Sequence, residues 1–206
     1  DTVFCGAGVS LAKLCTFACE HSLSGLEFAW GIPGSAGGAA FMNAGAYTGE
    51  MKDVLLCCHH VTPDGTVGSI EKKNLQLFYR HSAYADNGFV ITGIVVKLQK
   101  DSETEIRRRM DEFMRRRREK QPLEYPSAGS VFKRPKGYFA GTLIEQAGLK
   151  GYSIGDAVIS RKHAGFIINQ GDATAQDVLA LIRHIQNTVH RDFAVDLVCE
   201  VRYVGR

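Results

Sequence analysis

Long apolar runs are missing from this 206-residue chain: none reaches the roughly 18 residues that a membrane-spanning helix needs. A charged-then-apolar leader is missing from its start as well. Charge imbalance is small. Twenty-five Lys and Arg against 22 Asp and Glu leave a net +3, too little to argue for a nucleic-acid partner. The six cysteines (5, 15, 19, 57, 58, 199) form no CxxC pair and no framework spacing, so reduced thiols in a cytoplasmic protein are expected. No internal repeat or low-complexity linker interrupts the chain. A hydrophobic fraction of 45% with 23% charged residues is that of an ordinary globular protein, with length for one large domain or two small ones.

The basic residues cluster. Arg107, Arg108, Arg109, Arg115, Arg116, Arg117 and Arg118 fall on one predicted helix, Ser102 to Lys120, which Pro122 ends. Ser102-x-x-Glu105 has the form of a capping box, and Asp111 and Glu112 precede Arg115 and Arg116 by four residues, the favourable order for helical ion pairs. A solvated helix face is the plain reading, with phosphate, cofactor or nucleic-acid contacts as alternatives. Cys57-Cys58-His59-His60 suggests a metal site, but it lies in a predicted strand, Val54–Val61. Adjacent strand residues point to opposite faces, so four consecutive ligands do not close on one ion.

Thr2–Cys5 reads as a strand, followed by Gly6-Ala7-Gly8 and by Ser10 as cap of a helix whose stripe is Leu11, Leu14, Cys15 and Ala18. A domain seldom opens inside such a unit, so the first residue is expected to be a truncation point. Further strands are expected at Thr66–Ile70, Phe89–Leu98 and Gly165–Asn169, and a short helix at Thr142–Ala147 ending at Gly148. Val178, Leu181, Ile182, Ile185 and Val189 give a 3.6-residue period after a Thr174-x-x-Asp177 start signal. A last strand is expected over Val195–Tyr203, where alternation puts Glu200 on the face of Asp196 and Arg202. Strands and helices without regular βαβ alternation predict an α+β fold, with a boundary near Lys100.

Gly6-Ala7-Gly8 is half of a dinucleotide fingerprint and weak by itself, since position 11 is Leu. The run Gly31-Ile32-Pro33-Gly34-Ser35-Ala36-Gly37-Gly38-Ala39 is stronger. With Gly45 it places five glycines in fifteen residues, which allow positive φ and close ligand approach. A helix starting in this loop would offer free N–H groups to a pyrophosphate, whereas close packing between elements explains the composition equally well.

These residues, extended from Leu26 to Ala39 and through Asn43-Ala44-Gly45-Ala46-Tyr47, closely resemble the flavin-loop signature of the UDP-N-acetylenolpyruvoylglucosamine reductase (MurB) family. Ordered blocks continue the resemblance over essentially the whole chain: Tyr79-Arg80-His81-Ser82, Ser127 to Pro135, Leu143 to Gly151, Lys162 to Asn169, and Glu200-Val201-Arg202-Tyr203. The family's upstream flavin-binding segment, with its own glycine-rich loop, has no counterpart. The 49 residues between Arg80 and Ser130 are too few for one subgroup's tyrosine-bearing insertion, which implies the insertion-free subgroup.

The resemblance implies the C-terminal part of a PCMH/VAO-type flavin-binding domain (1–100) followed by a smaller α+β MurB C-terminal domain (101–206) that binds substrate. It implies FAD and NADPH as cofactors, UDP-N-acetylglucosamine enolpyruvate as substrate, and a place in peptidoglycan precursor synthesis, as a cytoplasmic monomer. Hydride addition to the vinyl carbon puts negative charge into the neighbouring carboxylate. By resemblance Arg80 and Glu200 flank that carboxylate, Arg80 as a fixed cation and Glu200 useful only as the un-ionised acid. Ser130 corresponds to the proton donor to the ether-bearing carbon. Gly31, Ile32, Pro33, Gly34, Ser35, Gly38, Asn43, Gly45, Ala46 and Arg202 are the implied cofactor contacts, with Lys120 for NADPH phosphate and Tyr152 and His163 on the substrate side. Taken alone, Arg80 reads as a surface arginine, Ser130 as a turn residue and Glu200 as an exposed strand position. Two other readings stay open: another flavin oxidase of the same superfamily, and a non-catalytic fragment that binds a UDP-sugar without flavin.

Overall fold

The computed structural model describes residues 1–47 and 49–205. Their packing divides the chain into two units, Asp1–Arg117 and Arg118–Arg206.

The first unit contains strand β1 (Thr2–Gly6), helices α1 (Leu11–Glu20) and α2 (Ala36–Phe41), strands β2 (Leu55–Val61), β3 (Val67–Glu71) and β4 (Val90–Lys97), and helix α3 (Glu103–Lys120). The strands form one antiparallel sheet in the order β1-β4-β2-β3. Period-two alternation turns Cys5, Cys58, Ile94 and Val96 inward, where they join Leu11, Leu14, Cys15 and Ala18 of α1 in one core. Ser10 caps α1 as its position suggests, its hydroxyl accepting the Lys13 N–H at 3.2 Å. Helix α3 sends Ile106 and Met110 into this same core. That burial places the division in its last turn, at Arg117, later than the boundary expected near Lys100.

The second unit contains strands β5 (Ser127–Ser130), β6 (Ser153–Ile154), β7 (Ala157–Ile159) and β8 (Phe166–Asn169), and helices α4 (Ala140–Gln146) and α5 (Ala175–Phe193). Its antiparallel sheet has the order β6-β7-β8-β5. The predicted stripe of α5 is its buried side: Leu181, Ile182, Ile185 and Val189 pack with Leu143, Ile144, Ile159 and Ile167. Thr174 and Asp177 form the reciprocal capping box.

Two expectations are corrected. The segment 195–203 is not a strand but an irregular stretch with a single bridge, Cys199 to Phe132. Its Leu197 is buried while Val198 is exposed, so the sequence alternation is real, yet Val131 and Lys133 offer it only a few backbone partners. Helix α4 begins two residues before Thr142, at Ala140.

The Arg-rich helix is only partly a solvated face. Arg107, Arg108, Arg115 and Arg116 lie outside, paired with Glu103, Glu105 and Glu112 of the same helix. Arg109 instead reaches across to Glu27 at 2.8 Å and Asp101 at 2.5 Å. The four residues Cys57 to His60 separate as strand geometry demands. Cys58 and His60 are buried, His60 Nδ1 lies 2.9 Å from the Tyr84 hydroxyl, and His59 meets the Phe4 ring on the other face. Burial pushes the Cys58 thiol up to about 12, which keeps it protonated and inert.

Candidate functional site

The glycine-rich loop wraps the start of α2, and its glycines divide by what surrounds them. A Cβ on Gly31 would lie 2.8 Å from Met114 of α3, one on Gly37 2.7 Å from Ala7, and one on Gly45 2.7 Å from Glu50. Close packing accounts for those three. Gly34 faces open space, and Gly38 would meet only the Ser35 hydroxyl. Ile32 is half-buried and Pro33 exposed beside them, while Ala46 pairs with Gly49 in a two-residue ladder.

Of the two readings left open for this loop, the bonds of the first turn of α2 favour close packing between elements. The Ala36 N–H donates to the Val9 carbonyl at 2.8 Å, Gly37 to Ala7 at 2.9 Å, and Gly38 to the Ser35 hydroxyl at 3.2 Å. The first turn therefore serves protein acceptors. Its partner is the Gly6-Ala7-Gly8 loop, discounted in the sequence, which is also fixed by Leu11 N–H to Gly34 O at 2.9 Å and Ala7 N–H to Thr92 O at 3.0 Å. Added Cβ atoms on Gly6 and Gly8 would meet nothing within 4 Å. A GxG directly between a strand and a capped helix was the signal that could have found them.

Arg80 sits at the tip of a tight turn in which Phe78 and His81 exchange backbone bonds of 3.2 and 3.3 Å. Its φ is +55°, a conformation that costs a non-glycine residue about 1–3 kcal/mol. The guanidinium lies 5.0 Å over the Tyr79 ring. Below the turn, Asn43 is 1% exposed and donates its carboxamide N–H groups to Glu50 Oε2 and the Phe78 carbonyl, each at 2.9 Å. Its Oδ1 accepts the Lys52 N–H at 2.8 Å. Both amide donors are thus engaged inside the protein, and the Asn43 side chain serves as a strut for the loop. Glu50 and Lys52, not singled out in the sequence, pair at 2.8 Å. The Lys52 bond, then the Asn43 bond and the charges of Lys52 and Arg80, outweigh burial and hold the Glu50 carboxyl below the usual range.

In the second unit the backbone of Val131 brings Ser130 and Glu200 together. The Val131 N–H donates to Gly165 O at 2.9 Å, and its carbonyl accepts the Glu200 N–H at 2.7 Å. Ser130 ends β5 opposite Phe166. The Ser130 hydroxyl would lie 3.6 Å from a Cβ placed on Gly165, and His163 would lie 3.0 Å from that same atom. His163 Nδ1 accepts the Gly165 N–H at 3.0 Å, and burial lowers the imidazole pKa, so the neutral ring with its proton on Nε2 is the state held here. Arg202 is exposed two residues beyond Glu200, and Lys120 is exposed at the end of α3. Tyr152 stacks on His184 of α5 at 4.3 Å. Arg80 belongs to the first unit, and Ser130 and Glu200 to the second.

Comparison with known proteins decides the family. The chain is 52% identical over 205 residues to the UDP-N-acetylenolpyruvoylglucosamine reductase of Syntrophomonas wolfei, covering 100% of this chain and 69% of that one. The chain belongs to the UDP-N-acetylenolpyruvoylglucosamine reductase (MurB) family. The Agathobacter rectalis member is 53% identical over 200 residues, covering 97% of this chain and 64% of the relative. The crystal structure of the Thermus caldophilus member superposes with a TM-score of 0.83 at 40% identity, over 95% of this chain and 70% of that one. The chain thus spans about two thirds of the length of these relatives. Residues 121–204 match the family's C-terminal domain, and residues 1–71 match a FAD binding domain.

The residues present fit the flavin that this second match implies. Gly6 and Gly8 are bare where the protein's own packing would admit a side chain, and Gly8 and Gly34 are exposed. Gly34 needs glycine for its φ of +130° in any case, but Gly6 and Gly8 have no such backbone reason. Close approach of a ligand supplies one.

Proposed function

We propose that the chain carries the MurB reaction, reduction of UDP-N-acetylglucosamine enolpyruvate to UDP-N-acetylmuramate at the cost of NADPH, in peptidoglycan precursor synthesis. The observation that carries the reading is the Val131 staple. It ties the backbone of Glu200 to the residue that follows Ser130, in a unit that matches the family's C-terminal domain, while in the first unit Asn43 of the glycine-rich loop bonds to the turn that carries Arg80.

FAD, when bound, supplies the relay of hydride between NADPH and substrate. Gly6, Gly8, Gly34 and Gly38 would form its bed, with Ile32, Pro33, Ser35, Ala46 and Arg202 as further contacts. Arg80 offsets the negative charge that grows on the substrate carboxylate as the vinyl carbon takes the hydride. Glu200 is the carboxyl group that the second unit contributes to the reaction. Ser130 Oγ–H gives its proton to the ether-bearing carbon and regains one from solvent. His163, neutral, offers Nε2–H to the nucleotide-sugar, with Tyr152 nearby in sequence, and Lys120 faces the NADPH phosphate. The reading carries with it a flavin-binding first unit, a substrate-binding second unit, and a cytoplasmic, monomeric chain.

In stopped-flow measurements of flavin absorbance, Ser130→Ala should leave reduction by NADPH unchanged. It should slow reoxidation by the enolpyruvyl substrate by about 10²–10⁴-fold. Equal loss of both half-reactions would overturn the assignment. A second reading, a UDP-sugar-binding fragment without flavin, is favoured by the engaged first turn of α2, which leaves a pyrophosphate to find donors elsewhere. A colourless purified chain that takes up no FAD on reconstitution would select it.

A further inference from the structure

Arg80 does not stand on its own turn alone. Bonds from the residues on either side of it run to the short segment that ends α2 and continues the glycine-rich loop. Asn43 Nδ2 donates to the Phe78 carbonyl at 2.9 Å, and the Ser82 hydroxyl, 0% exposed, donates to the Phe41 carbonyl at 2.7 Å. The same Asn43 amide group holds Glu50, the carboxylate whose field includes Arg80. Asn43 has a φ of +41°, which asparagine tolerates better than most side chains, so its backbone and its carboxamide both suit this one place.

We propose that Asn43 is a positioning residue that, with Ser82, fastens the turn bearing Arg80 to the glycine-rich loop, so that the loop sets where the guanidinium meets the substrate carboxylate. The inference rests on the carboxylate-binding role proposed for Arg80. Asparagine is the side chain that does this: its two N–H groups serve two acceptors while its oxygen takes the Lys52 N–H. Aspartate has the same shape and keeps only the last of these bonds. It would set a carboxylate against Glu50 and the Phe78 carbonyl, and the turn would shift.

Calorimetric binding of two ligands to the full chain tests this: UDP-N-acetylglucosamine enolpyruvate, and UDP-N-acetylglucosamine, which lacks the carboxylate. Wild type should prefer the first, and Arg80→Ala should lose the preference. Asn43→Asp should bind the enolpyruvyl ligand about tenfold or more weakly and UDP-N-acetylglucosamine within about twofold of wild type, because displacing a charge by roughly an ångström costs that much. Ser82→Ala, the milder change, should move in the same direction and decides the matter if Asn43→Asp does not fold. Should Arg80→Ala lose the preference while the folded Asn43 and Ser82 variants keep it, the positioning role is wrong and the reading of Arg80 stands. If Arg80→Ala keeps the preference, both fall. Equal weakening for the two ligands, with a lower melting temperature, also overturns the positioning role, since it marks a contact that serves only folding.

Discussion

Gly37→Ala isolates what the two glycine loops do for each other. The new methyl would stand 2.7 Å from the Ala7 Cβ and 3.2 Å from both its Cα and its carbonyl oxygen. Carbon atoms in contact sit about 3.5–4.0 Å apart, so the Gly6–Val9 loop must retreat by roughly 1 Å. That retreat stretches the Gly37 N–H bond to the Ala7 carbonyl, now 2.9 Å. Overpacking of this kind costs about 1–3 kcal/mol, against about 0.5–1 kcal/mol regained by replacing glycine within a helix. The expected net loss is about 1–2 kcal/mol, or about 2–8 °C in Tm for a chain of this size. Gly8→Ala is the counterpart. Its methyl meets nothing within 4 Å, and Gly8 is outside the left-handed region. It should therefore keep or gain stability, by up to about 1 kcal/mol through the unfolded chain. Thermal unfolding followed by circular dichroism measures both, and quenching of FAD fluorescence measures the ligand face, where Gly8→Ala should weaken binding. A Gly37→Ala chain as stable as Gly8→Ala, or a Gly8→Ala chain that melts early, would refute the division of the glycines into packed and open.

Two further outcomes follow from the packing. Burial works to raise the Glu27 carboxyl pKa, but bonds from Arg109, the Gly25 N–H and the Ser24 hydroxyl outweigh it and leave it lowered. Its stabilising contribution is thus present above the unfolded pKa of about 4.3 and lost as pH falls through the lower folded value. Glu27→Gln should cost about 1–2 kcal/mol near pH 7 and progressively less in acid, read from urea midpoints at several pH values. A pH-independent loss would contradict the ion-pair account. Leu181→Ala, at a position 0% exposed in the second core, should cost about 2–5 kcal/mol in the same unfolding experiment. A loss under about 1 kcal/mol would mean that this core is far looser than its burial implies.

Local rules carried far along this chain. Ser10 and Thr174 are helix caps, the 178–189 stripe is the buried side of α5, and the strand expected from Val54 runs over Leu55–Val61 with its Cys and His side chains alternating. The candidate site was legible mainly through the ordered family blocks, because nothing in the composition marks Arg80 or Ser130. Where the sequence misled, a distant partner was the cause. The alternating residues 195–203 lack a second strand with matching donors, and Arg109 belongs to Glu27, 82 positions away, more than to its own helix face.

Cap residues, apolar periods and glycine positions act over a few residues, so the order of amino acids alone already determined most helices, most strands and the family of this protein. Which glycines are bare for packing and which face open space was decided only when Ala7, Met114 and Glu50 came within 3 Å of where a Cβ on three of them would stand. The same holds for Asn43, whose amide became a strut when the fold brought it the Phe78 carbonyl from 35 residues away. Short-range sterics write the elements; long-range hydrogen bonds assign the side chains their roles.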